Sequence, residues 1–213
     1  MNMNIRVAIT LIFFQMILFV SESNAQTYHP RRANLKLAVD DTIRISKPFY
    51  FSNPNSEDSF LLIINPGLVK NSRSTIEIRS HEDKLLYSHP FDTFWLIAHI
   101  FEPDSVPRGG QKVHEEYLDQ YWKSLTQKQY ETYFNKSIKN FFSDNFNFVE
   151  KSKINDLTRW SSVPPDDSDL KEVIANPKIK LLSIRCFDCD GGGGSVIFFS
   201  PSKKRMIRLF TGD

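Results

Sequence analysis

The sequence predicts an α+β domain in which an N-terminal meander of antiparallel strands and a C-terminal set of antiparallel strands flank central amphipathic helices packed on the sheet. Three observations carry this reading. Apolar residues alternate with polar ones between Leu35 and Tyr87, recur at helical spacing between Val113 and Phe141, and return to strand-like runs between Ile179 and Phe210. Strands, then helices, then strands is the order expected when helices cover one face of an antiparallel sheet. No internal repeat or low-complexity linker divides residues 34–213, which read as a single domain.

In chain order, Leu35, Leu37 and Val39 alternate, Asp40-Asp41 interrupts, and Ile43, Ile45, Phe49 and Phe51 follow, a pattern that predicts a hairpin. A strand over Phe60–Ile64 ends at the turn-forming Asn65-Pro66-Gly67. Strands over Thr75–Ile78 and Leu85–Tyr87 follow, separated by His81-Glu82-Asp83-Lys84. Val113, Tyr117, Tyr121 and Leu125, with Trp122 beside them, form the apolar stripe of one helix. Tyr130, Phe134, Ile138 and Phe141 form that of a second, either separate or continuous with the first through a kink. Thr126 followed by Gln129 has the form of a capping box at its start. A shorter helix is expected around Ile154, Leu157 and Trp160, and another from Ser168 to before Pro177. Strands over Ile179–Arg185, Val196–Phe199 and Met206–Phe210 close the chain, the last two joined by Ser200-Pro201-Ser202-Lys203-Lys204.

Residues 1–25 have the layout of a cleaved secretory signal. Arg6 supplies the basic start, Val7–Val20 the apolar core, and Ser23-Asn24-Ala25 the small-residue site, placing the cut between Ala25 and Gln26. An uncleaved anchor needs about 20 apolar residues, more than this stretch offers. A lipidated cysteine is excluded by residue type, because the cysteines are Cys186 and Cys189. Residues 26–33 lack a hydrophobic period and read as a flexible leader. The mature chain is therefore expected to be exported, periplasmic or secreted, with no membrane span after cleavage. A net charge of +2 gives no electrostatic reason to expect a nucleic-acid partner. Eighteen Phe, seven Tyr and three Trp instead indicate an aromatic-rich folded core.

Three stretches resemble a pattern found in small exported proteins and lipoproteins of Bacteroidetes. They are Ile76-Glu77-Ile78 through Leu85-Leu86-Tyr87, Phe141-Phe142-Ser143-Asp144-Asn145-Phe146, and Val196-Ile197-Phe198-Phe199-Ser200 with Lys203-Lys204-Arg205-Met206-Ile207. The chain departs from the lipoprotein members in lacking the lipidated cysteine, and its four consecutive glycines fall outside the pattern. The resemblance implies export and a shared α+β fold; it implies no activity and transfers no catalytic residue.

Cys186-Phe187-Asp188-Cys189 is the sharpest local feature. A redox site lowers a thiol pKa partly through a helix N-terminus, whereas here Asp188 and Asp190 flank the second cysteine and Gly191–Gly194 lead into a strand. A structural zinc site wants a second pair of ligands. A short disulfide between Cys186 and Cys189, in an oxidising compartment, is the favoured reading, with two free thiols as its alternative. Asp188 and Asp190 before glycine have the start of a calcium loop, but Gly192 and Phe199 stand where further ligands belong. The glycines lack the Lys-Ser/Thr ending of a phosphate loop and read as a hairpin tip. His29, His81, His89, His99 and His114 are scattered and form no zinc-protease motif. No Gly-x-Ser-x-Gly elbow frames a serine. His99, beside Phe94-Trp95-Leu96-Ile97-Ala98, reads as a partly buried histidine, and Lys203-Lys204-Arg205 as a solvated charge run.

No catalytic, cofactor-binding or metal-ligating residue is thus assigned, and no cofactor is implied. The expectation is an exported, non-catalytic binding or interaction module with an extracytoplasmic protein among its possible partners. The alternatives are an unrecognised cell-envelope hydrolase, for which His81, His99 and Asp92 are the first residues to inspect, and an immunity-like inhibitor acting through surface complementarity.

Overall fold

The computed structural model describes residues 35–98, 111–156, 161, 165–187 and 193–212. Strands β1 (Ala38–Val39), β2 (Ile43–Asn53), β3 (Ser56–Ile64), β4 (Gly67–Leu68), β5 (Arg73–Arg79) and β6 (Leu85–Asp92) come first. Helices α1 (Trp95–Ala98), α2 (Gln111–Ser124) and α3 (Gln127–Asn145) follow, then β7 (Phe146–Val149), a 3-10 turn (Lys151–Lys153) and α4 (Asp167–Ala175). Strands β8 (Leu181–Arg185), β9 (Gly194–Ser200) and β10 (Arg205–Gly212) complete an α+β fold. The signal and the leader lie outside the described residues; of the helix expected around Ile154, Leu157 and Trp160, residues 154–156 are helical and residues 157–160 lie outside them.

The first four-stranded sheet runs β2-β3-β5-β6, all antiparallel. Period two does its work here: Phe60, Leu62 and Ile64 of β3 and Ile76 and Ile78 of β5 are fully buried on one face, while their neighbours in sequence are only half-buried. One expectation is corrected. Residues 35–39 do not form a hairpin with β2; β1 pairs with β4 through Ala38↔Leu68 and Val39↔Gly67, and the Val69 N–H donates to the Leu37 carbonyl at 2.9 Å. Alternation specifies which face of a strand is buried and leaves its partner open. β2 instead turns back onto β3 after Asn53, whose side-chain oxygen accepts the Asn55 N–H at 2.9 Å. Where the β2–β3 register shifts, the buried Asp58 carboxylate takes the N–H groups of Phe51 and Ser52 and the Ser52 hydroxyl, so its desolvation is offset by three donors.

Helices α2 and α3 are separate. Thr126 caps α3 in a full capping box, accepting the Gln129 N–H while its own N–H donates to Gln129 Oε1 at 2.8 Å. The buried Tyr130 hydroxyl donates to the Trp122 carbonyl at 2.6 Å and ties the two helices together. The stripe on α2 differs from expectation: Val113, in the first turn, is 46% exposed, and Leu118 and Trp122 carry the burial. α3 runs directly into β7, a strand too short and too close to the helix to stand out in the sequence.

The second sheet runs β10-β9-β8-β7, again antiparallel. Its central strands β8 and β9 contribute buried residues to both faces. Leu182, Ile184 and Ile197 join the large core shared with the first sheet and α1–α3, whereas Leu181, Val196 and Phe198 join a smaller core with Val173 of α4, Ile154, Ile207 and Leu209. That explains the uninterrupted apolar run Val196-Ile197-Phe198.

Phe187, in the turn after β8, is only 2% exposed and enters the large core. Its ring centroid lies 4.5 Å from Trp95, 4.7 Å from Phe91 and 5.7 Å from Phe141. Phe187→Ala is therefore expected to cost about 3 to 5 kcal/mol in urea unfolding, whereas Leu85→Ala, at a residue 47% exposed, should stay within about 0.5 kcal/mol. Equal effects would show that Phe187 does not anchor this core.

Candidate ligand-binding hollow

At one end of the second sheet, Asp144 and Asn145 from α3, Asn147 from β7, Ser183 and Arg185 from β8, and Gly193 and Gly194 line an open hollow of ≈ 300 Å³. That volume lies at the lower end of the roughly 300 to 1,000 Å³ usual for small-molecule sites. Strand alternation builds its wall. Asn147 pairs with Ser183 and Arg185 with Gly194, so the polar residues share a face while Phe146 and Ile184, one position away, point into the large core. Gly194 is required by packing: a Cβ there would stand 2.9 Å from the Ile184 carbonyl oxygen. The Cys186 N–H donates to the Gly193 carbonyl at 2.7 Å and extends the β8–β9 pairing past the rim.

Asn145 is the unusual member. It is 5% exposed, and its side-chain NH2 donates to the Phe141 carbonyl at 2.8 Å, satisfying one of the acceptors left over at the end of α3. Its Oδ1 is buried without a hydrogen-bond partner. Capping explains the nitrogen and not the oxygen, and an unmet buried acceptor costs about 1 to 3 kcal/mol. Beside it, the Arg185 guanidinium lies 5.8 Å from the Trp95 ring centroid, which orients it without neutralising it. Neither Arg185 nor Asp144 forms a salt bridge with any described residue, including each other.

No protein-family model matches the chain, and neither a curated protein nor a solved structure matches it. The residues of the hollow therefore speak through their chemistry alone. The described residues among them supply one cation, one carboxylate, two amides and a hydroxyl.

The residues singled out from sequence fall elsewhere. His81 sits in the β5–β6 turn, hydrogen-bonded through Nδ1 to the Ser56 hydroxyl at 3.3 Å. Asp92, at the other end of β6, accepts the Phe94 N–H at 3.0 Å. The eight residues of that strand hold the two apart by about 23 Å, and His99 lies outside the described residues, so the inspected hydrolase set is not brought together by the hairpin. Cys189, Asp188, Asp190, Gly191 and Gly192 also lie outside them; Cys186 borders the rim of the hollow. Sequence reasoning missed the hollow because its polar residues come from α3, β7 and β8, and nothing in their spacing announces the juxtaposition. The one available signal was Ser183 and Arg185 breaking the apolar run of β8.

Lys203 is not simply solvated. It pairs with the buried Asp169 of α4, while Glu172 accepts the Ser200 hydroxyl at 2.7 Å and the Ser202 N–H at 3.1 Å, fastening the β9–β10 turn to the helix. Burial alone would raise the Glu172 carboxyl, but the Ser200 and Ser202 hydrogen bonds and Lys203 outweigh it and hold the group below its ordinary value. Hydrogen bonds from Ser168 likewise lower Asp166, the N-cap of α4. A depressed carboxyl contributes stability above its unfolded pKa of about 4 and loses it as pH falls through the lower folded value. The Ser202 and Ser168 amide proton resonances should accordingly titrate with midpoints below about 4, and Glu172→Gln should flatten the Ser202 curve. Midpoints at or above the ordinary carboxylate value would contradict this clamp.

Proposed function

We propose that the chain is an exported, non-catalytic binding module that holds a small polar ligand in the hollow formed by α3, β7, β8 and the start of β9. The observation that carries the reading is that Arg185 and Asp144, of opposite charge, line one hollow and form no salt bridge with any described residue. Opposite charges that the fold leaves unneutralised around one concavity favour recognition of a polar ligand. The lining supports binding over chemistry: among the described residues it brings together no histidine or thiol that would act as base or nucleophile beside Ser183. Export rests on the signal-like residues 1–25, and the Cys186–Cys189 disulfide on the spacing of the thiols. Such a clip beside Phe187 would hold the rim of the hollow while the ring anchors it below.

A second reading has its own observation. Tyr50 and Phe148, on the edge strands β2 and β7, are 46% and 47% exposed, and Lys180 Nζ lies 5.9 and 5.6 Å from their ring centroids. Exposed aromatic residues beside a cation suit a protein partner, as an immunity-like inhibitor would require.

Two measurements test the first reading. Intact mass of the exported protein should begin at Gln26, with two thiols that alkylate only after reduction; retention of residues 1–25, or thiols free at the outset, would remove the export or the disulfide. A thermal-shift panel of amino acids, carboxylic acids, amines and sugars should contain at least one class that raises the melting temperature by about 5 °C near a hundredfold excess over Kd. Arg185→Ala should abolish that rise. A flat response to every class would overturn the binding function.

A further inference from the structure

Resting on that reading, we propose that the hollow takes a small zwitterion, the α-ammonium and α-carboxylate of a free amino acid. The argument starts from the two charges. Arg185 and Asp144 line the same concavity, carry opposite charge and close no salt bridge with each other. A ligand with one charge pairs with one of them and is repelled by the other, whereas a ligand with both charges pairs with both. The guanidinium fork, steadied over Trp95, matches a carboxylate in bidentate fashion. The Asp144 carboxylate offers acceptors suited to the three donors of an ammonium group.

The remaining wall is consistent with that polarity. Ser183 and Asn147 make no hydrogen bond from their side chains to any described residue and offer neutral contacts for the rest of the ligand. A neutral sugar would match the amides and hydroxyl as well, but no aromatic ring among the described residues lines the hollow for its apolar face to stack on. A simple anion would fit Arg185 and be repelled by Asp144. The ≈ 300 Å³ of space limits the ligand to a small one.

The test uses the 15N-labelled protein purified after export and four probes at constant ionic strength: L-alanine, propionate, ethylamine and glucose. Propionate and ethylamine are alanine with one charged group removed. Alanine should move the Gly193 and Gly194 amide signals and the Asn145 side-chain NH2 signal saturably, and each single-charge probe should bind at least about 10-fold more weakly. Arg185→Gln and Asp144→Asn, both at solvent-exposed positions, should each weaken alanine by about 10-fold. Propionate binding as well as alanine would overturn the zwitterion in favour of an anion site. Glucose moving these signals while alanine does not would overturn the ligand class and leave the binding function standing. If no probe moves them and the thermal-shift panel is flat as well, both the ligand class and the binding function fail.

Discussion

Everything in this structure hangs on the packing of Phe187 against Phe91, Trp95 and Phe141. These four rings come from the turn after β8, from β6, from α1 and from α3, so a single aromatic contact set joins both sheets to the helical layer. Beyond the apolar area they bury, ring pairs at such separations add about 0.5 to 1.5 kcal/mol each. Their geometric effect is larger than their energy. With Phe187 seated, the end of β8 has no freedom to peel away from β9, and with Phe141 seated, the last turn of α3 is held against β7.

The hollow is the outward consequence of that inward packing. Asn145 stands one helical turn beyond Phe141, Asn147 one position beyond Phe146, and Arg185 one position beyond Ile184. Each polar residue is thereby aimed by an apolar neighbour that the core holds fixed. A binding site built on strand ends and a helix terminus loses little conformational entropy when a ligand arrives. Trp95 connects the two levels directly, since one ring contacts Phe187 within the core and also orients the Arg185 guanidinium.

How far this could be read beforehand depends on the range of the interaction that decides each feature. The capping box at Thr126 and Gln129, the β5–β6 turn and the closing β9–β10 hairpin are settled by residues a few positions apart, and their patterns are visible in the chain. The α+β order follows from the change of apolar period, which is also local. The pairing of β1 with β4 is decided by burial of Leu35, Leu37 and Val69 in a core assembled from distant residues, so alternation alone pointed to the wrong partner. β7 was illegible for a related reason: Phe146–Val149 becomes a strand because Ile184 and Leu182 are there to pair with it. The candidate site was the least legible of all. Asp144, Asn145, Asn147, Ser183 and Arg185 are ordinary surface residue types, and only the fold brings them around one space.

The balance of burial at Asn145 bears on why the site persists. A helix end can be closed at less cost by a residue whose side chain leaves no acceptor behind, and glycine or a simple turn serves that purpose in many helices. Here the amide satisfies the Phe141 carbonyl and leaves Oδ1 unmet, at a cost comparable to a sizeable share of a domain's net stability of about 5 to 15 kcal/mol. Asp58 shows that the same chain can bury a full carboxylate and satisfy it with three donors. Ser72 Oγ is also buried without a hydrogen-bond partner, so an unmet polar atom is not peculiar to this end of the sheet. What sets the hollow apart is Arg185 and Asp144, opposite charges that form no salt bridge with any described residue and that a ligand carrying both charges can meet together.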